Sequence, residues 1–276
     1  MDNISDNAGR KTRVTIKDVA SAANVSIATV SYVLNNKQGQ SISEDTRKKV
    51  LQTANLLGYE CNVMAKFLAT GKADTVAAIV KDLDGMGAQN YIKLITELTR
   101  RLSELNYSMK LCNYADEIAR NGAAYDAYIT IALSEKDFRR FADTKYVPVI
   151  AVDTVFDDFL FYRINDDFGA MYTAAKNALP DKTKIELLTY PLPDECLQSA
   201  RAAFDGVTVV RSLRDLPTES ADIGYATQSA IIAESIDFDI YRSDTSHERK
   251  AAAAVTAVNA AINRIKASAD AHDIKV

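Results

Sequence analysis

The chain of 276 residues holds two histidines, His247 and His272, three cysteines, Cys61, Cys112 and Cys196, and 37 acidic residues. Histidine is the usual general base and metal ligand near neutral pH, but both histidines fall late in the chain in polar surroundings. The cysteines are odd in number, far apart and without a C-x-x-C pair. That indicates reduced thiols rather than a disulfide framework or a thiolate metal site. No G-x-S-x-G, G-x-x-x-x-G-K or metal-ligand spacing occurs, so elbow-type hydrolysis and P-loop chemistry lose their signatures. We expect no metal, no cofactor and no enzyme, although catalytic carboxylates among 37 acids would leave no trace in sequence. A different chemistry is offered by Ile27, Ala28, Thr29, Ser31 and Tyr32, which cluster at the start of a helix-forming block. Apolar and hydroxyl side chains in that place suit contact with base edges rather than catalysis.

Three short blocks with helical apolar spacing position that cluster. IKDVASAA follows Thr15, which can cap it together with Asp18; it ends at Asn24, a residue that tolerates the left-handed turn conformation. IATVSYVLN follows Ser26, and EDTRKKVLQTANLL follows Ser43 and stops at Gly58. Ile16, Val19, Ala20, Val25, Val30, Val33, Leu34, Val50, Leu51, Ala54 and Leu57 are the expected core of a small three-helix domain. A two-helix unit with a short turn lays its second helix in a DNA major groove, and a generic helical hairpin has the same spacing. The stretch ECNVMAKFLATGK after Gly58, with Asn62 as helix start and Gly71 as stop, is too short to be stably helical alone.

Charge is uneven although the total is -4. Residues 1–72 carry 10 basic and 6 acidic residues, and the remainder carries 23 and 31. A basic head on an acidic body fits a polyanion-binding module, and a solvated surface gives the same count. The hydrophobic share of 47% with only 10 Gly and 5 Pro excludes general disorder. Neither a run of about 20 apolar residues nor the apolar core of a signal peptide is found, so no membrane partner and a cytoplasmic location are expected.

From Thr75 onward, apolar strands alternate with amphipathic helices. Strands are expected at Thr75–Val80, Tyr107–Cys112, Ala127–Leu133, Val147–Val152, Phe161–Ile164, Ile185–Tyr190 and Val207–Ser212. Helices are expected over Tyr91–Leu105 and His247–Lys266. Such alternation gives parallel sheets covered by helices on both faces, with ligands beyond the carboxyl ends of the strands or between lobes.

TIKDVASAANVSIATVSYVLN, continued by SISEDTRKKVLQTANLLGYECN, resembles the bacterial lactose-repressor (LacI/GalR) family of transcription regulators. The resemblance covers Val14 to about Thr75 closely. It implies a small all-α helix-turn-helix head plus an α/β periplasmic-binding-protein-like effector domain, built of two parallel-sheet lobes with the C-terminal one shortened. The implied divisions are a tail at 1–13, the head at 14–60, a hinge helix at 61–73 and the effector and dimerisation domain at 74–276. It further implies that Ile27, Ala28 and Tyr32 choose the operator sequence, while Thr15, Ser26, Thr29, Ser31, Asn35, Ser43 and Thr46 hold the phosphate backbone; the bland reading of those hydroxyls is helix capping. In the hinge, Asn62 would cap, Ala65 would face the minor-groove floor and Leu68 would wedge between base pairs. Cys61 replaces the usual proline and Asn24 the usual turn glycine.

Later segments, NYIKLITELTRRLSELNYSMKLCNY, KYVPVIAVD and YRSDTSHERKAAAAV, resemble the family's effector domain. There Asp153 matches a position that often faces the ligand, and Arg201 roughly matches an arginine that binds sugar hydroxyls. Their structural alternatives are a strand-end cap and an exposed helical charge. The implied partners are a double-stranded DNA operator, a small sugar-like effector and a second copy of the chain, with Tyr91–Leu105 as the dimer helix. The resulting expectation is a DNA-binding repressor associated with the nucleoid. The alternatives are a regulator whose effector domain binds nothing, or a soluble sugar-binding protein.

Overall fold

The computed structural model describes residues 14–34, 41–59, 71–81, 85–119, 125–243, 246–265 and 269–276. Two compact units divide the chain, residues 1–65 and 66–276.

The first unit is a three-helix cluster of α1 (Ile16–Ala23), α2 (Ile27–Leu34) and α3 (Glu44–Leu56). Val19, Ala20, Ala23, Val30, Val33, Val50 and Ala54 are its buried centre, edged by Val14, Ile16, Val25, Leu34, Ile42 and Tyr59. Leu51 and Leu57 are exposed, contrary to the core expected from sequence. α3 buries only the i, i+4 row of Val50 and Ala54, and Leu51 sits about 100° around the helix from Val50. At its end Gly58 takes a positive φ of 65°. The Tyr59 N–H then donates to the Ala54 carbonyl at 2.8 Å, a helix stop that brings Tyr59 inward in place of Leu57.

The second unit contains two all-parallel sheets. The first lobe orders its strands β10-β5-β4-β3-β1-β2 and the second β7-β6-β8-β9. The first six strands are β1 (Thr75–Val80), β2 (Ser108–Asn113), β3 (Ala127–Ile131), β4 (Val149–Val152), β5 (Arg163–Asn165) and β6 (Lys184–Thr189). The others are β7 (Gly206–Val209), β8 (Ile223–Thr227), β9 (Ile240–Arg242) and β10 (Asp273–Lys275). The first lobe carries helices α4 (Gly85–Glu104), α5 (Tyr114–Ala119), α6 (Glu135–Ala142) and α10 (Ser246–Ile262); the second carries α7 (Phe168–Ala178), α8 (Asp194–Ala203) and α9 (Ala230–Glu234).

Strand alternation supplies a core on each face of the first sheet. Val76, Val80, Ile129, Ile131, Ile150 and Val152 face one side, while Ala77, Ile79, Tyr128, Val149 and Ala151 face the other. On the first side lies the α4 stripe of Tyr91, Leu94, Leu98 and Leu102, packed with Ala251, Ala254, Val255 and Val258 of α10. Alanines there let two helices approach closely over the sheet. The chain passes to the second lobe between Asn165 and Phe168 and returns between Arg242 and Ser246. The strands that sequence reading omitted are β8, β9 and β10: two have only three residues, and β8 is interrupted by Gly224.

Candidate nucleic-acid interface and inter-lobe cavity

Each helix of the first unit is capped by a hydroxyl named above. The Asp18 N–H donates to Thr15 Oγ1 while Asp18 Oδ2 accepts from the Thr15 N–H at 2.8 Å, a reciprocal box. That backbone donor also holds the exposed Asp18 carboxyl below its usual range. Ser26 Oγ accepts from the Thr29 N–H at 3.0 Å, and Ser43 Oγ from the Thr46 N–H at 3.2 Å. Thr29 and Thr46 place their own hydroxyls 2.8 and 2.9 Å from the capping ones. Thr15, Ser26, Thr29, Ser43 and Thr46 therefore each sit at a helix start, with their hydroxyls engaged in capping.

The turn between α1 and α2 depends on Asn24, at φ 51° and ψ 51°. Its left-handed backbone lets the Val25 N–H reach the Ala20 carbonyl at 3.0 Å, closing α1 and redirecting the chain into α2 after two residues. Val30 and Val33 face inward. At 100° per residue, Ile27, Ala28, Ser31 and Tyr32 then share the outer arc; Ile27 and Ala28 are exposed, and Ser31 and Tyr32 are half-buried. Ile27 is 46% exposed, an isoleucine that the unit does not use for its own core. Asn35, Asn62, Ala65 and Leu68 lie outside the described residues.

A cavity of about 110 Å³ lies between the lobes of the second unit, with Asp153, Arg163, Asn165, Asp166, Cys196 and Ser199 among its lining residues. Asp153 follows β4 at φ 51° and is 3% exposed. Its Oδ1 accepts from Lys250 Nζ at 2.7 Å, and the same ammonium reaches Asp166 Oδ2 at 2.6 Å. Ser246 donates to Asp166 Oδ1 at 2.6 Å. Burial raises the Asp153 carboxyl to about 6 against the pull of Lys250. Burial alone would lower the Lys250 ammonium, but the two carboxylates outweigh it and hold it above its ordinary range. Next to it, burial and the Lys250 charge lower His247 to about 4, so this ring is neutral at pH 7. Burial pushes the Cys196 thiol up, which leaves it protonated and unreactive.

Three buried polar atoms around the cavity have no hydrogen-bond partner: Asp153 Oδ2, Asn165 Oδ1 and Arg163 Nε. The Arg163 guanidinium donates through Nη1 to the Phe156 carbonyl. Two unpartnered acceptors and one unpartnered donor are buried polar groups whose hydrogen bonds a small hydroxylated molecule could supply. Arg201 is not among the lining residues. Cys196 and Ser199 put one face of α8 toward the cavity; Arg201, two residues beyond Ser199, is turned about 200° from it and is exposed. Its placement is that of a surface charge in the last turn of a helix.

Lys250 and Asp166 escaped sequence reading, yet a signal existed. The buried face of α10 runs through His247, Lys250, Ala251, Ala254 and Val258, so helical spacing puts a lysine inside an otherwise small and apolar stripe. A buried lysine demands carboxylate partners. Among the described residues, no group of three His, Cys, Asp or Glu side chains is placed to hold a metal ion. No described helix is long and apolar enough to cross a membrane.

Residues 15–62 match the profile of the family described as bacterial regulatory proteins, lacI family. The chain is 29% identical over 191 residues to the HTH-type transcriptional regulator pepR1 of Lactobacillus delbrueckii subsp. lactis, covering 64% of this chain and 54% of that protein. It is 50% identical over 70 residues to the HTH-type transcriptional regulator GalS of Salmonella typhimurium, covering 25% of this chain and 20% of that one. The chain thus spans about half the length of pepR1 and less of GalS. Among solved structures, the Lac repressor dimer bound to operator and the anti-inducer ONPF superposes with a TM-score of 0.58 at 16% identity over 96% of both chains. The transcriptional regulator CelR–cellobiose complex gives 0.54 at 16% identity, again over 96% of both. The fold they share with this chain is the periplasmic-binding-protein-like pair of lobes with a helical head. Head profile, relatives and fold therefore agree in their likeness to the bacterial regulatory proteins of the lacI family, and residues 15–62 are the part of the chain that the family profile matches.

Proposed function

We propose that this chain is a sequence-specific DNA-binding transcriptional regulator, a cytoplasmic repressor that works as a homodimer on a pseudo-palindromic double-stranded operator and catalyses no reaction. The observation that carries the reading is α2, which turns Ile27, Ala28, Ser31 and Tyr32 outward from a head that the family profile matches over residues 15–62. One head per half-site gives the register of a symmetric operator. Ile27 and Ala28 suit thymine methyls, and Tyr32 donates to a base or phosphate. Thr15, Ser26, Thr29, Ser31, Asn35, Ser43 and Thr46 serve the phosphate backbone, and Asn62, Ala65 and Leu68 the minor groove. For dimerisation, the stripe of Tyr91, Leu94, Leu98 and Leu102 is already spent on the first lobe's core. Among the described side chains, α4 and its end offer a second copy the exposed pair Ile92 and Leu105.

The inter-lobe cavity is the effector site in this reading, and its unmet acceptors and donor favour a small sugar-like molecule. A second reading, an effector domain that responds to no ligand, is favoured by one observation: the Asp153 carboxylate already carries an internal ammonium. The experiment is selection of fragmented genomic DNA by the full chain at physiological salt, with and without a panel of sugars and nucleosides. A palindromic motif whose occupancy one compound changes is the expected result. A motif that no compound moves supports the ligand-free reading, and recovery of no motif at all rejects the regulator.

A further inference from the structure

We propose that Asp153, Lys250 and Asp166 form a brace that sets the angle between the two lobes of the second unit. The three side chains come from the three places where such an angle is decided. Asp166 lies in the first crossing, between the end of β5 and the start of α7. Ser246 and Lys250 occupy the first turns of α10, directly after the second crossing, and Asp153 ends β4 of the first lobe. One ammonium joins both carboxylates at 2.7 and 2.6 Å, and Ser246 fixes the far oxygen of Asp166 at 2.6 Å. The first crossing is therefore tied to the start of α10 and to the first lobe's sheet.

Burial sharpens the case. Lys250 is 1% exposed, Asp153 3% and Asp166 8%, and a buried ion cluster is a poor way to gain stability, because desolvation offsets its attraction. Apolar side chains of the same volume would hold the site as well and permit sliding. Directional hydrogen bonds from a tetrahedral ammonium to two fixed carboxylates do not slide, so what the cluster supplies is one geometry rather than binding strength. The brace also borders the cavity, since Asp153 and Asp166 line it, and Asp153 Oδ2 is buried there without a hydrogen-bond partner. A molecule that donates to Asp153 Oδ2 shares a carboxylate with Lys250, and the lobe angle follows from that competition. None of this requires that the head bind DNA.

The test measures lobe-to-lobe distances by double electron–electron resonance on the full chain, with one label at Lys136 of the first lobe and one at Arg214 of the second, introduced as unnatural amino acids. The native brace is expected to give one narrow distribution. The charge-free variant Lys250→Met/Asp153→Asn/Asp166→Asn is expected to give one at least about twice as wide, or two peaks. Identical distributions overturn the brace. Should that variant not fold, Ser246→Ala removes only the hydroxyl that orients Asp166; it carries the same expectation of broadening, and an unchanged distribution overturns the proposal equally.

Discussion

Replacing Lys250 by methionine tests the energetics of the buried cluster directly. The side chain keeps its approximate length and loses its charge, so the buried volume changes little while two carboxylates lose their shared cation. Asp166 retains the Ser246 hydroxyl, whereas Asp153 is left with no side-chain donor. The least costly response is for the cluster to bind one more proton than the native protein does. Protonating a carboxyl at pH 7 costs about 1.4 kcal/mol for each pH unit above its ordinary value near 3.9, hence about 4 kcal/mol. That agrees with the roughly 3–5 kcal/mol lost when one partner of a buried ion pair is removed. At pH 5, below the Asp153 value of about 6, the native cluster has largely taken up that proton itself, so the loss shrinks well below its size at pH 7. The measurement is urea unfolding of the full chain followed by far-ultraviolet circular dichroism at both pH values, native against Lys250→Met. A loss under about 1 kcal/mol at pH 7, or a loss that does not shrink toward pH 5, refutes the reasoning.

Three other perturbations bear on the head and on α10. Asn24→Gly relieves a left-handed side chain and should raise the head's stability by about 0.5–1 kcal/mol in a thermal melt; a decrease would mean that the Asn24 side chain itself holds the turn. Tyr32→Ala should change base preference at one position of each half-site in a randomised-operator selection, by about 1–3 kcal/mol of discrimination, and an unaltered profile would remove Tyr32 from readout. His247 has a folded value near 4, below its ordinary 6.5. Its contribution is thus fully present above about pH 6.5 and is lost as pH falls toward 4, up to about 3 kcal/mol. The stability difference between native protein and His247→Gln, measured across that range, should fall accordingly; a flat difference contradicts the burial of a neutral ring.

Local signals were legible because they rest on single residues. Thr15, Ser26 and Ser43 cap the helices they precede, and Asn24 adopts the left-handed turn, since capping and turn geometry depend on a few neighbouring backbone groups. Strands with nearly continuous apolar runs, such as β1 and β3, were legible because both faces are buried and most of their residues are apolar. The three-residue β9 and β10 carry too few residues for any period to register. Leu51 and Leu57 misled because hydrophobicity marks a capacity for burial, and α3 has a partner for only one narrow row.

The second unit shows the division most clearly. Composition and period, read without coordinates, determined a helical head, parallel α/β alternation after Thr75 and the outward arc of α2, all of which follow from spacing along single elements, while the division into two lobes was implied by the family resemblance. Only the tertiary structure decided that Asp153, Asp166 and Lys250 meet. Lys250 lies 84 positions from Asp166 along the chain, and their contact exists because two crossings bring the start of α10 back beside the end of β5. The same packing turned Arg201 outward and left Asp153 Oδ2, Asn165 Oδ1 and Arg163 Nε around one cavity. Such long-range meetings depend on how sheets and helices stack in space, and residue type and local period carry no record of them.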